Sequence, residues 1–336
     1  MKAVVAPKVN APVVIEDRPI PQPKAGEVLI KVRACGVCRS DLAVILGELG
    51  FATFPRVLGH EVAGVVDKVG EGVTWPKVGD RVGMQWLFSA DGYCDQCVRG
   101  AEILCPNLVV TGVTADGGYQ EYMIAPALYV APIPDGLDDA DAGPLMCAGL
   151  TVFNGMRQAG IKPGDKVAVI GLGGLGHLAV LYARAMGARV AVISNTADKQ
   201  DEAEELGAEY FINTQSKKAS EGLQAWDGGA NIILATAPSS PAATEAIPGL
   251  APDGTLVVLG VGAGDISAAP FDLIGARHRV MGSPSGGRSD VRATLNFSRH
   301  NKVLPRITKF PLEDAGKALE LMRTGKMRDR AVLMIS

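Results

Sequence analysis

The feature that most constrains this chain is Gly171-Leu172-Gly173-Gly174-Leu175-Gly176, set between an apolar run and a helical stretch. Lys166-Val167-Ala168-Val169-Ile170 before it reads as a buried strand, and His177 to Met186 after it as a helix. A glycine turn in that setting is a dinucleotide-binding fingerprint. Gly171 permits the tight turn, and Gly173 lets the backbone approach a pyrophosphate. Gly176 lets helix and strand pack closely, while Gly174 and Leu175 lead into a helix N-terminus that favours an anion. The competing reading is a glycine-rich packing turn in another kind of α/β protein. Arg189 to Ile193 gives the next strand and Asp198 to Leu206 the next helix. Ala230 to Ala235 and Gly254 to Gly260 follow as strands. Strands alternating with helices mean parallel βαβ units.

The part before Leu150 has another texture. It is rich in Val, Gly and Pro, with short extended runs at Glu27 to Val32 and Glu61 to Val66. Turn signals at Val78 to Arg81 and Ala115 to Gly118 separate such runs. That pattern predicts a β-rich, barrel-like domain. A helix at Glu313 to Arg323 and a closing strand at Arg330 to Ile335 are expected to return to it.

All six cysteines lie in the first half: Cys35, Cys38, Cys94, Cys97, Cys105 and Cys147. Of four histidines, only His60 shares that part. Two thiolates and an imidazole leave a tetrahedral zinc with an open fourth position, a catalytic arrangement. Spacing alone does not select Cys38, His60 and Cys147 for it. His60 can also be read as a hydrogen-bonded core residue, and Cys35-Gly36-Val37-Cys38 as a redox pair, although no thioredoxin-like βαβ context surrounds it. A second cluster, Asp91-x2-Cys94-x2-Cys97-x7-Cys105, has the spacing of a structural zinc loop. Asp91 stands where a fourth cysteine would complete the set, as a ligand or as a solvated loop residue. Three thiols are too few for an ordinary iron–sulfur cluster.

Composition narrows the class. Apolar residues make up 47%, charged residues 21%, and the net charge is −3. Nothing in this balance favours nucleic acid or an anionic membrane surface. Met1-Lys2-Ala3-Val4-Val5 does not read as a signal peptide, and the longest apolar stretches fall short of a membrane span. The expectation is a cytoplasmic protein.

Together Cys35-Gly36-Val37-Cys38-Arg39-Ser40-Asp41, Gly59-His60-Glu61-Val62-Ala63-Gly64, the Asp91 to Cys105 loop, Cys147 and the glycine turn resemble the zinc-dependent medium-chain alcohol dehydrogenase family along essentially the whole chain. The resemblance implies an α/β protein, with a β-rich GroES-like catalytic domain over 1–150 and 287–336. A doubly wound parallel-sheet Rossmann domain over 151–286 is implied beside it. It implies Cys38, His60 and Cys147 as catalytic zinc ligands, Glu61 as the acidic residue beside the metal, and Asp41 as the carboxylate that orients the histidine. Cys35 matches no ligand and is expected to be a buried free thiol. Ser40 matches the hydroxyl that starts the proton relay. Arg39 and Arg330 match contacts to cofactor phosphate, Thr151 a residue beside the nicotinamide, and Trp86 an aromatic wall of the substrate pocket. Many members carry a histidine five residues after the first ligand. This chain has Ala43 there, so water or a ribose hydroxyl is expected to carry the proton onward.

These matches imply zinc at two sites per chain and an activity on a small-molecule alcohol or aldehyde, primary rather than bulky secondary. Polyol or sugar dehydrogenation is the alternative. The resemblance also implies a homodimer or homotetramer. For the cofactor, Ser194 occupies the place where an acidic residue would bind the ribose of NAD. Ser194, Asn195 and Thr196 can donate to a 2′-phosphate, and Lys199 can reach it as a point charge. That strand end resembles the cinnamyl alcohol dehydrogenase branch, so NADP is expected over NAD. A polar loop that tolerates either cofactor is the plainer reading.

Overall fold

The computed structural model describes every residue except Val261. The chain divides into two compact units, Met1–Leu150 with Gly286–Ser336, and Thr151–Ser285. Gly286 falls with the first unit, one residue before the expected boundary.

In Thr151–Ser285, six parallel strands form one sheet. Across it they run Tyr210–Asn213, Arg189–Ser194, Lys166–Ile170, Ala230–Ala235, Leu250–Val258 and Arg279–Gly282. The strand order reverses beside Lys166–Ile170, and such a switch point is where doubly wound sheets hold ligands. The central strands are short Val, Ile and Ala runs because helices cover both faces of the sheet. Ala168, Ile170, Ile193, Ile233 and Leu256 are buried in its core.

Two boundaries differ from the sequence reading. The segment from Asp198 opens in a 3₁₀ turn, Ala197–Lys199, and becomes α-helical over Gln200–Leu206. The fifth strand begins at Leu250 rather than Gly254. Its early part carries the polar Asp253, which hid the periodicity. The strands Tyr210–Asn213 and Arg279–Gly282 lie at the two sheet edges, where weak apolar character gave no signal.

In the other unit, seven strands form a mixed sheet. Its main path runs Ala131–Pro132, Arg81–Met84, Glu61–Val69, Glu27–Gly36, Arg330–Met334 and Ile307–Pro311, with Tyr122–Pro126 also pairing to Glu27–Gly36. Successive residues of Glu27–Gly36 point to opposite faces, and a bulge between Val32 and Ala34 shifts that alternation by one residue. Ile30, Val32 and Cys35 enter the apolar core with Val62, Met84, Tyr119, Ala331 and Leu333. Gly36, Glu61 and Arg330 are left for the other face. The closing strand sets Val332 opposite Gly36, so the last residues of the chain complete the sheet that carries the first cysteine motif. The helix expected from Glu313 starts at Ala315, after a 3₁₀ turn over Leu312–Asp314.

Candidate active site and metal centres

Cys38 sits where the strand Glu27–Gly36 gives way to the short helix Arg39–Ile45. Asp41, three residues on, closes the turn by accepting the Cys38 backbone N–H at 2.8 Å. The same buried carboxylate accepts the Gly59 N–H at 3.2 Å and the Tyr119 hydroxyl at 2.9 Å. It therefore joins the Cys38 turn to the segment that delivers His60, whose Nδ1 lies 3.5 Å from Asp41 Oδ1. Cys147 comes from a π-helical turn, Leu145–Gly149, where one extra residue per turn swings the side chain out of the helical row.

The three elements bring Cys38, His60, Glu61 and Cys147 together, with ligand atoms all within 4.8 Å of one another. The two sulfurs are 4.0 Å apart. Their mutual hydrogen bond holds the Cys38 thiol well below its ordinary range and the Cys147 thiol well above. His60 is fully buried, and neither ring nitrogen has a hydrogen-bond partner among the described residues. An orphaned imidazole beside two thiols is costly unless a cation takes its lone pair. Two sulfurs, one nitrogen and an adjacent carboxylate fit zinc, and Asp41 stands behind the ring to fix its tautomer.

Arg330, expected at cofactor phosphate, stands at the start of the strand Arg330–Met334. It is buried, and its Nη2 pairs with Glu61 on the same sheet face. Burial pushes the Glu61 carboxyl up to about 7, while the Arg330 charge pulls it down. Glu61 lies so close over Gly36 that a Cβ there would come within 1.9 Å of Oε2. Sequence reasoning missed this demand on the second residue of the Cys35–Cys38 motif. It also missed Gln85, which is buried at 1% exposure with no partner for either amide atom among the described residues.

The other expected residues fall as follows. Trp86 stands edge-on to His60, with ring centroids 5.0 Å apart and planes at 89°. Ser40 Oγ lies 3.7 Å from Cys38 Sγ. Ala43 is buried on the Arg39–Ile45 helix. Arg39 is half exposed and paired to Glu48 at 2.9 Å. Cys35 is buried, and burial pushes its thiol well up.

The second cluster gathers Asp91, Cys94, Cys97 and Cys105, again with ligand atoms within 4.8 Å. Asp91 Oδ1 accepts the backbone N–H groups of Tyr93 at 3.1 Å and Cys94 at 3.0 Å, and Oδ2 accepts from Asn107 Nδ2 at 2.9 Å. The bond from Cys94 holds this carboxyl far below its usual range. The Asn107 N–H points at Cys105 Sγ at 3.3 Å. Donors converging on an anionic ligand set suit a divalent cation. The loop is tied down by Glu102, buried and paired to Arg288 at 2.6 Å. Arg288 lies 5.1 Å from the centre of the Tyr129 ring, and the Tyr129 hydroxyl donates to Ala90 at 3.1 Å.

In the Thr151–Ser285 unit, Gly171 takes φ +87°, which side chains resist. At Gly173 nothing stands within 4 Å of a would-be Cβ, so its backbone is open to a ligand. A Cβ at Gly176 would fall 1.9 Å from the Gly171 carbonyl oxygen, so the third glycine closes the turn on itself. Gly174 and Leu175 lead into the helix Gly176–Ala185. Thr236, missed in the sequence, donates to the Ile170 and Gly171 carbonyls at 2.8 and 3.2 Å and pins the turn. Ser194 is buried and accepts the Thr196 N–H at 3.2 Å, while Asn195 and Thr196 are exposed. Lys199 pairs with Glu202 at 2.6 Å rather than with the neighbouring Asp198. Thr151 is buried at the start of this unit.

Comparison with known proteins agrees with this geometry. Residues 24–135 match the alcohol dehydrogenase GroES-like domain family, and residues 174–299 match the zinc-binding dehydrogenase family. An alcohol dehydrogenase of Moraxella sp. (strain TAE123) is 40% identical over 334 residues, 99% of each chain. A cinnamyl alcohol dehydrogenase structure from Sorghum bicolor has a TM-score of 0.91 at 32% identity, covering 99% of this chain and 97% of that one. The structure of CAD from Helicobacter pylori complexed with NADP(H) has a TM-score of 0.88 at 26% identity, with the same coverage.

Proposed function

The chain belongs to the zinc-dependent medium-chain alcohol dehydrogenase family, and on that premise we propose that it moves hydride between NADP and a primary alcohol or aldehyde at the Cys38–His60–Cys147 centre. The observation that carries this reading is the convergence of those three side chains and Glu61, with both His60 nitrogens left for a cation and Asp41 to satisfy.

Zinc would supply a Lewis acid for the substrate oxygen, and the nicotinamide the hydride acceptor or donor. The chain's own residues do the rest. Cys38, Cys147 and His60 hold the metal, and Asp41 keeps the imidazole in one tautomer. Ser40 takes the hydroxyl proton as the alcohol carbon gives up hydride. Ala43 cannot accept that proton, so it leaves by water or a ribose hydroxyl. Trp86, braced against His60, narrows the space beside the metal and favours primary substrates. The Gly171–Gly176 turn would cradle the pyrophosphate, and the family resemblance assigns Arg39 to a cofactor phosphate and Thr151 to the nicotinamide. The Asp91, Cys94, Cys97 and Cys105 loop holds a second, structural zinc.

The choice of NADP is supported by Ser194 in place of an acid, by the exposed donors Asn195 and Thr196, and by Lys199. We read the protein as a cytoplasmic homo-oligomer. Among the described residues no helix is long and apolar enough to cross a membrane. Phe271 and Ile274 are 83% and 76% exposed just before the sheet-edge strand Arg279–Gly282, a surface suited to a second copy of the chain.

Steady-state rates across alcohols, aldehydes and polyols with each cofactor test the reading. Cys38→Ser, His60→Ala and Cys147→Ser should each abolish turnover while cofactor binding remains measurable. Ser194→Asp should shift preference towards NAD. A wild-type protein that oxidises polyols best, or strongly prefers NAD, would contradict it.

A further inference from the structure

Lys199 is the one cation between Ser194 and Leu206, against five carboxylates: Asp198, Asp201, Glu202, Glu204 and Glu205. It is already engaged. Its Nζ lies 2.6 Å from Glu202 Oε2, and the two side chains are only 24% and 22% exposed. A pair this sheltered is screened less than one in open solvent. Glu202 is also held by its place in the first turn of the helix Gln200–Leu206, where a negative side chain meets the positive end of the helix dipole. It therefore stays beside Lys199 for a reason unrelated to any ligand.

Resting on the reading that a 2′-phosphate would bind at this strand end, we propose that Glu202 is a specificity-determining residue that sets how strongly NADP is preferred over NAD. The mechanism is competition for one ammonium group. A 2′-phosphate reaching Lys199 must displace the Glu202 carboxylate or sit beside it. Displacement gives up a charge-assisted hydrogen bond, and coexistence brings like charges together. A 2′-hydroxyl meets neither opposition. It carries no charge, needs no ammonium partner, and can donate to a carboxylate. Glu202 thus weakens NADP selectively, and the chain keeps measurable affinity for NAD.

The test is equilibrium binding, read by fluorescence titration of NADPH and NADH on the zinc-loaded enzyme at fixed low salt. The proteins are wild type, Glu202→Gln, Lys199→Ala, the double variant, and Asp201→Asn as a control. The control neutralises the same helix turn without touching the Lys199 pair. Glu202→Gln should tighten NADPH about three- to fivefold, the scale of a partly exposed ion pair, and leave NADH within about twofold. Asp201→Asn should not reproduce that shift. In the Lys199→Ala background, Glu202→Gln should lose its selective effect. If Lys199→Ala weakens NADPH while Glu202→Gln leaves it unchanged, or tightens both cofactors alike, Glu202 does not set the preference. If Lys199→Ala leaves NADPH unaffected, the placement of the phosphate at Lys199 fails, and the proposal falls with it.

Discussion

Gly36 has no side chain because Glu61 occupies the space one would need. The carboxylate above it is paired to Arg330, and both groups are almost fully buried. Losing one side of such a pair leaves a charge without compensation, a cost of about 3–5 kcal/mol. Gly36→Ala should push Glu61 off Arg330 and lower unfolding stability by about 3 kcal/mol in urea titration. A loss below about 0.5 kcal/mol, the range of an innocuous substitution, would contradict the packing described. The sequence made Cys38 and His60 visible because cysteine and histidine are scarce here and metal chemistry needs them. It could not pair them with Cys147 by spacing, since the three sit on separate elements. Gly36 and Gln85 gave no signal for a similar reason, and neither did the pairing of Arg330 with Glu61. Their roles depend on which residues face each other across paired strands, and a linear pattern does not carry register.

The glycine turn was legible as an element because everything it needs is local: a strand, a φ +87° turn, and a helix start. The π-helical turn under Cys147 was not, because Leu145 to Phe153 reads as one apolar run in any helical register. The loop from Asp91 to Cys105 lies between these cases. Its cysteine spacing is a local signal, but the ligand status of Asp91 depends on three hydrogen bonds that only the folded loop makes. Elemental analysis of the wild type should give about two zinc per chain. Cys97→Ser or Asp91→Ala should reduce that to about one, lower the melting temperature, and leave kcat near its wild-type value, since this metal stabilises rather than reacts. A wild-type value near one, with the loop site empty, would contradict a structural zinc here.

At the scale of the whole molecule, the sequence texture divided the chain close to where the structure does, because a parallel βαβ unit and a β-rich unit bury their residues with different periods. What the texture did not reveal was the surface. Phe271 and Ile274 are large apolar residues, yet they are exposed on the helix Pro270–Ala276 that precedes the edge strand Arg279–Gly282. For the proposed homodimer or homotetramer, Phe271→Asp combined with Ile274→Asp should lower the mass seen in light scattering after gel filtration; an unchanged oligomer would place the subunit contact elsewhere. On the proposed function, the Cys38–His60–Cys147 centre makes the protein a zinc-dependent hydride-transfer enzyme. Its most direct test is the rate of nicotinamide reduction by primary alcohols before chelation, after complete zinc removal, and after zinc is restored. Removal should abolish the rate and restoration should recover it, with no recovery in His60→Ala. A zinc-free protein that keeps its full rate would contradict it.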